Sequence, residues 1–349
     1  MTMLPRSAIA AGATALLSVF VIAVPFAAVA HADDSAVQTQ AAREPVTVSV
    51  PVRTIDTPGR SGQSGIVEIT VGRSAPMAVM LDTGSVGLRL WGGRPAGAKV
   101  STQRISTDID GSRVPGLVGR APMTLSGVTT TLDVPFQLIT TDSSYIQQWK
   151  SQGVVGILGI GVGSGALTNP LVALPGSLGL RWSVHFARDA ADTGGRRGAL
   201  ILGAEAPADA TMHFSLPYIG LNVNGARLWD DHAADGCWKF GAGPLQCVPT
   251  WFDSGFTVMR VKGREFSQVP QTATNLVRPG TPVRLSAGSS AFVGHRFAAG
   301  DAGSRNLVRV IPRGGATINT GNSFYFDFTV TYDVVVGDLH LSHPSRKGA

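Results

Sequence analysis

From residue 46 onward, Val, Ile, Leu and Thr come in short runs broken by Gly, Pro and Asn, and the spacing of an amphipathic helix is scarce. That pattern predicts an all-β body with many tight turns. Several strands can be read directly. Residues 66–72 (IVEITVG) alternate, residues 78–81 (AVML) run into Asp82, and Val86, Leu88 and Leu90 alternate away from it. Much later, Thr250-Trp251-Phe252 runs into Asp253, with Phe256, Val258 and Val261 beyond. Residues 218–224 read as a further strand with a chance of facing a binding cleft. Trp149, Trp182, Trp229 and Trp238 are expected in the core or in the wall of that cleft.

The N-terminus breaks the pattern. Residues 8–30 form one apolar run without a charge, preceded only by Arg6, and Ala30-His31-Ala32 supplies small residues at the spacing of a signal-peptidase cut. Residues 1–32 therefore read as a secretory signal peptide. The rival is a retained anchor, since the run is long enough to span a bilayer; Pro25 and the small-residue exit favour cleavage. The expected location is outside the cell or at the cell envelope.

Composition narrows the partners. The chain has 43 glycines, 21 prolines, only 15% charged residues and a net charge of +6. Its basic residues are scattered, apart from Arg196-Arg197 and Arg346-Lys347, so no nucleic-acid surface is expected. Weak attraction to an anionic envelope remains an expectation. Cys237 and Cys247 lie in a turn-rich segment, where an exported protein would join them in a disulfide closing a small hairpin. A metal site is the rival; the nearest histidine, His232, has no partner at zinc spacing, so none is expected.

The candidate chemistry lies in Asp-(Thr/Ser)-Gly strings. There are three. Asp192-Thr193-Gly194 sits among charges and glycines and reads as an exposed turn, whereas Asp82-Thr83-Gly84 and Asp253-Ser254-Gly255 each follow an apolar strand. Two carboxylates brought together cannot both ionise easily, so they share one proton. The ionised member can take a proton from a water between them while the other protonates a substrate carbonyl. The hydroxyls of Thr83 and Ser254 would donate to the opposite lobe's backbone, and Gly84 and Gly255 would let N–H groups approach the carboxylates. Competing chemistries fit worse. No Gly-x-Ser-x-Gly elbow accompanies the seven histidines, and the glycines of residues 159–165 do not match a nucleotide-binding spacing.

The order of these motifs resembles the pepsin-like aspartic proteases, and most closely the protease domains of mycobacterial PE/PGRS surface proteins. Residues 66–72 followed by Pro76 resemble the strand and turn before the first catalytic turn. Residues 156–161 (GILGIG) resemble the hydrophobic-Gly element behind the first aspartate, and residues 199–203 (ALILG) the inter-lobe strand. The cysteine loop before Asp253 has a pepsin counterpart, and residues 321–328 and 330–333 resemble the closing strands of the second lobe.

The resemblance implies a bilobal fold of two β-barrel-like lobes with the active-site cleft between them, residues 33–190 forming the first lobe and 191–349 the second. Each lobe supplies one catalytic aspartate, Asp82 or Asp253, supported by Thr83, Gly84, Ser85, Ser254 and Gly255. The flap, a mobile hairpin closing over a bound peptide, is expected at residues 108–119, a moving loop between strands ending near Ile105 and starting near Ala121, with Gly111, Ser112, Arg113 and Gly116 as substrate-binding residues. The usual flap tyrosine is missing, and Ser112 or Arg113 is expected to replace it. Phe256 stands where a hydroxyl is usual, which should raise the proton affinity of Asp253 and move the pH optimum towards neutrality. Residues 318–321 (INTG) are more polar than the corresponding family element.

The expected activity is cofactor-free hydrolysis of peptide bonds in a peptide or protein substrate by a monomer, since both turns lie in one chain. Residues 33–45 are too short and too neutral for a basic inhibitory pro-segment, so activity is expected on folding. The alternative is an inactive binding or inhibitory protein on the same fold.

Overall fold

The computed structural model describes residues 46–109, 111–187, 198–288, 293–301 and 305–344. The signal segment, Asp192-Thr193-Gly194 and the expected lobe boundary after residue 190 lie outside them.

The described residues are mostly strand, as the alternation predicts. One path of hydrogen-bonded strands starts at Met212–Ser215 and passes through Asp338–Ser342, Thr329–Asp333, Arg181–His185, Gly198–Leu202 and Val48–Asp56. It continues through Gln63–Val71, Met77–Asp82, Val154–Ile160, Val86–Leu90, Val134–Ile139 and Ser112–Ala121 to Lys99–Ile109. A second, seven-stranded sheet runs from His295–Ala298 through Pro282–Ala287, Ala234–Phe240, Gln246–Trp251, Thr317–Asn319 and Met259–Lys262 to Val308–Ile311. The lobes are thus joined by strands from the start, middle and end of the chain, the middle ones including Gly198–Leu202, the expected inter-lobe strand.

Each lobe is built round the same pairing. Met77–Asp82 pairs in parallel with Val154–Ile160, which pairs antiparallel with Val86–Leu90, which is parallel to Val134–Ile139. Gln246–Trp251 pairs in parallel with Thr317–Asn319, which pairs antiparallel with Met259–Lys262, which is parallel to Val308–Ile311. In both, the chain leaves the first strand, turns at an aspartate and returns across a strand from much later in the sequence. The two aspartates therefore occupy equivalent corners, and residues 318–321 are the second lobe's counterpart of residues 156–161.

The core supports these corners. Trp182, Trp238, Phe252, Phe324, Tyr325, Phe328 and Tyr332 are buried, as are Trp149 and Trp229. Each large side chain removed from water contributes about 1.5–3 kcal/mol. Cys237 and Cys247 face each other in register and form the disulfide between Ala234–Phe240 and Gln246–Trp251, the strand that leads to Asp253.

Three expectations need correction. The flap is the hairpin the resemblance implies, but its strands reach past Ile105 and begin well before Ala121: Lys99–Ile109 pairs with Ser112–Ala121, and only the tip is a turn, where Gly111 adopts φ 76°. Gly116 and Gly119 are not hinges: a Cβ there would lie 2.4 Å from the Leu138 carbonyl oxygen and 2.3 Å from the Phe136 ring, so these glycines let the hairpin press onto Val134–Ile139. Its tip end packs through Ile109 and Val114 into a cluster with Trp91, Ile146 and Trp149. Residues 321–328 are not all strand. Gly321 takes φ 61°, and Ser323–Asp327 form a short helix that stacks Phe324 on Phe328 one turn later. Finally, residues 144–151 form a helix that the scarcity of helical spacing did not foretell. The Ser143 hydroxyl caps it by accepting from Ile146 N, and Ile146 and Trp149 face inward.

Candidate active site

Asp82 is the last residue of Met77–Asp82, and Asp253 lies two residues beyond Gln246–Trp251. They are 8% and 6% exposed, and their carboxyl groups are within hydrogen-bonding reach of each other. Each is oriented by its own turn. Gly84 N donates to Asp82 Oδ1 at 2.8 Å, and Gly255 N donates to Asp253 Oδ1 at 2.9 Å. The glycines are required by the approach of the opposite lobe. A Cβ on Gly84 would sit 2.3 Å from Asp253 Cγ, and one on Gly255 would sit 2.4 Å from Asp82 Oδ1.

The turns are locked by crossed hydroxyls. Thr83 Oγ1 donates to Phe252 O and accepts from Ser254 N, both at 2.9 Å. Ser254 Oγ donates to Leu81 O at 3.0 Å and accepts from Thr83 N at 2.9 Å. Both hydroxyls are buried, so each bond left unpaired would cost about 1–3 kcal/mol. Beneath them, the hydroxyls of Tyr325 and Tyr332 lie 2.7 Å apart, and both donate to Phe252 O, at 3.0 and 3.1 Å. Burial holds both phenols protonated, so this layer is a fixed set of donors.

The outer oxygens are treated differently. Asp82 Oδ2 accepts from Ser85 Oγ at 2.5 Å, and Ser85 in turn accepts from the buried Arg89 guanidinium at 3.1 Å. Arg89 also donates to Gly87 O, Val86 O and Thr107 Oγ1 of the flap hairpin. Thr107 donates to Gln137, whose amide reaches Val114 O on the other flap strand. Desolvation lowers the pKa of Arg89, and attraction to Asp82 opposes that. Asp253 Oδ2 accepts instead from the amide of Asn319 at 2.6 Å, while Asn319 Oδ1 accepts from Gly321 N. Burial, and then repulsion from Asp82, push the pKa of Asp253 up to about 7 even though Asn319 and Gly255 favour its ionised form.

Around the pair lies a cavity of about 270 Å³. Met80, Ile109, Tyr145, Trp149 and Ile157 give it an apolar wall on the first lobe. Phe256 and Trp251 lie opposite, with Arg60 and Arg260 at the edge, the Arg260 guanidinium 3.8 Å from the Phe256 ring centre. Of the four expected substrate-binding residues of the flap only Gly111 lines this space, together with Asp108 and Ile109. Ser112 and Arg113 are exposed, and Gly116 is buried against Leu138, so neither Ser112 nor Arg113 takes a tyrosine's place. The aromatic hydroxyl in the cleft is that of Tyr145, from the helix Ser144–Ser151, and burial raises its pKa to about 12. Residues 218–221 lie outside this cavity, forming an exposed hairpin with Arg227–Trp229.

No family model and no curated protein sequence matches the chain. Among solved structures it is similar to the aspartic proteinase from Irpex lacteus, with a TM-score of 0.59 and 18% identity over 87% of this chain and 99% of that one. The chain has the pepsin-like aspartic proteinase fold. At this identity the likeness speaks for architecture alone.

Besides Tyr145, sequence reading missed three side chains in and behind this site. Arg89 was hidden in an alternating strand, and Asn319 was noted only as unusual polarity; that polarity was its signal. Asp231 had none. It is buried, and its carboxylate accepts from Val162 N and Gly163 N at 2.7 and 3.2 Å, which ties the second lobe's chain to the loop behind Asp82. Burial raises its pKa, and the charge of neighbouring His232, stacked on Trp251 at 3.7 Å, works against that shift.

Proposed function

We propose that this protein is an aspartic endopeptidase in which Asp82 acts as base and Asp253 holds the shared proton. A water bound between the carboxylates loses a proton to Asp82 as it attacks the scissile carbonyl. Asp253 protonates the carbonyl oxygen, and the resulting diol collapses with proton return to the leaving amine. All atoms come from water and peptide, so the step needs no cofactor. The observation that carries the reading is the asymmetry of the pair: Asp82 faces Ser85 and the Arg89 cation, while Asp253 is buried against a neutral amide with its pKa raised to about 7.

Substrate is an extended peptide crossing the cavity beneath the flap hairpin. The apolar wall of Met80, Ile109, Tyr145 and Ile157 favours a hydrophobic side chain on one side of the cut. Export, the lobe boundary near residue 190, action as a monomer at or beyond the cell envelope, and the closer likeness to the mycobacterial PE/PGRS protease domains belong to the same reading. They rest on the N-terminal apolar run, the disulfide and the order of the motifs.

The test is cleavage of a mixed peptide library from pH 3 to 8, with and without pepstatin, by the purified protein and by its Asp82→Asn and Asp253→Asn variants. Cleavage lost in both folded variants supports the reading. A well-folded wild-type protein that cleaves nothing at any pH would leave the inactive binding protein as the better account.

A further inference from the structure

Away from the cleft, at the end of the strand path, the cross-strand pairing of Met212–Ser215 with Asp338–Ser342 sets His213 directly opposite His340 and Ser215 opposite Asp338. Leu216 N donates to Gly337 O, which fixes that pair as hydrogen-bonded. Alternation then makes His213 and His340 a non-hydrogen-bonded pair, the kind whose side chains approach most closely. Asp338 and His340 are two residues apart on one strand and share a face, while Leu339 between them is buried. The imidazoles are stacked at 4.7 Å with 14° between their planes, and His213 Nε2 lies 3.0 Å from Asp338 Oδ2. The other carboxylate oxygen, Oδ1, accepts from Ser215 Oγ at 3.1 Å, which turns Oδ2 towards the histidines.

We propose that His213, Asp338 and His340 form a binding site for a divalent transition metal of the zinc class. One donor atom from each lies within 4.8 Å of the other two. Tetrahedral ligands at about 2.0–2.1 Å from an ion stand roughly 3.4 Å apart, so the triad closes by small side-chain rotations at a solvent-facing surface. Two imidazoles and one carboxylate select Zn²⁺, Ni²⁺ or Cu²⁺ over Ca²⁺ and Mg²⁺, which prefer all-oxygen shells. Three protein ligands leave a coordination position for water. The nearby Arg181 cation is paired with Asp333 on the adjacent strand, and that carboxylate offsets the repulsion Arg181 exerts at His340. The spacing of histidines along the sequence hides the triad, because the fold brings His213 and His340 together from distant segments. Bound metal would pin the terminal strand Met212–Ser215 to the inter-lobe sheet. None of the three residues lines the aspartate cavity, so the site is separate from the proposed chemistry.

Calorimetric titration of the full chain, expressed without a histidine tag, with ZnCl₂ at pH 7.5 tests this. The expected result is one saturable equivalent, insensitive to excess Mg²⁺ and Ca²⁺, and a melting temperature raised by about 3–5 °C at a hundredfold excess over Kd. His213→Ala and His340→Ala should each weaken binding at least about tenfold. Asp338→Asn keeps the side chain's shape, so it serves if a histidine variant fails to fold, and it should weaken binding similarly. CoCl₂ titrated into the wild-type protein should give the visible bands of a four-coordinate nitrogen-oxygen site. No saturable Zn²⁺ binding, or binding unchanged in the folded variants, would overturn the proposal.

Discussion

The two aspartate corners share a backbone plan and differ in what faces the outer carboxylate oxygen. In the first lobe it is a serine hydroxyl backed by a buried arginine that also holds the flap hairpin. In the second it is the neutral amide of Asn319, and the residue after the glycine is Phe256, stacked under Arg260. Burial and repulsion from Asp82 raise the proton affinity of Asp253, and this is what marks it as the acid in the proposed mechanism. The lesson is that the backbone repeat creates the pair and the side chains behind it break its symmetry.

The largest effect comes from removing the pair itself. Asp82→Asn or Asp253→Asn should lower kcat/KM by about 10²–10⁴-fold, checked on a peptide cleaved by the wild type, with circular dichroism unchanged. Next is Arg89→Met, which deprives Ser85 of its donor and cuts the flap's link to the first turn. A fall of about tenfold or more in kcat/KM is expected, together with faster proteolytic nicking near Gly111. Equal activity in that variant would show that the two corners do not differ in the way described.

A third difference is visible in stability. The folded-state pKa of Asp253, about 7, lies above the ordinary carboxylate value, so its proton stabilises the folded protein fully at low pH. That contribution fades as pH rises through 7. Asp253→Asn should therefore melt higher than wild type at pH 8 and nearly level with it at pH 4. The smallest effect concerns the disulfide: Cys237→Ser with Cys247→Ser should cost about 2–4 kcal/mol by chemical denaturation, weakening the strand that leads to Asp253 without abolishing cleavage.

Much of this was legible in the chain. Alternation and turn residues gave the β architecture, and the two apolar strands ending in Asp-Thr-Gly and Asp-Ser-Gly located the carboxylates, their crossed hydroxyls and their glycines. The flap residues were misread because Gly116 and Gly119 signify close packing against Leu138 and Phe136, which in one dimension looks like mobility. Arg89 and Asp231 were not legible at all. A charged residue in an alternating strand, like Arg89, or in a turn, like Asp231, normally points to water, and only the fold shows that these two point inward to Thr107 and to Val162 N. Tyr145 depended on a helix only eight residues long, too short for a periodic signal.

The most direct test of the account is the pH dependence of kcat/KM for the wild type and Asn319→Ala on one peptide. The alkaline limb should report loss of the Asp253 proton near pH 7, and removing the amide that favours the ionised carboxylate should move that limb to higher pH. An alkaline limb below about pH 5 that stays in place in Asn319→Ala would contradict the assignment of the proton to Asp253.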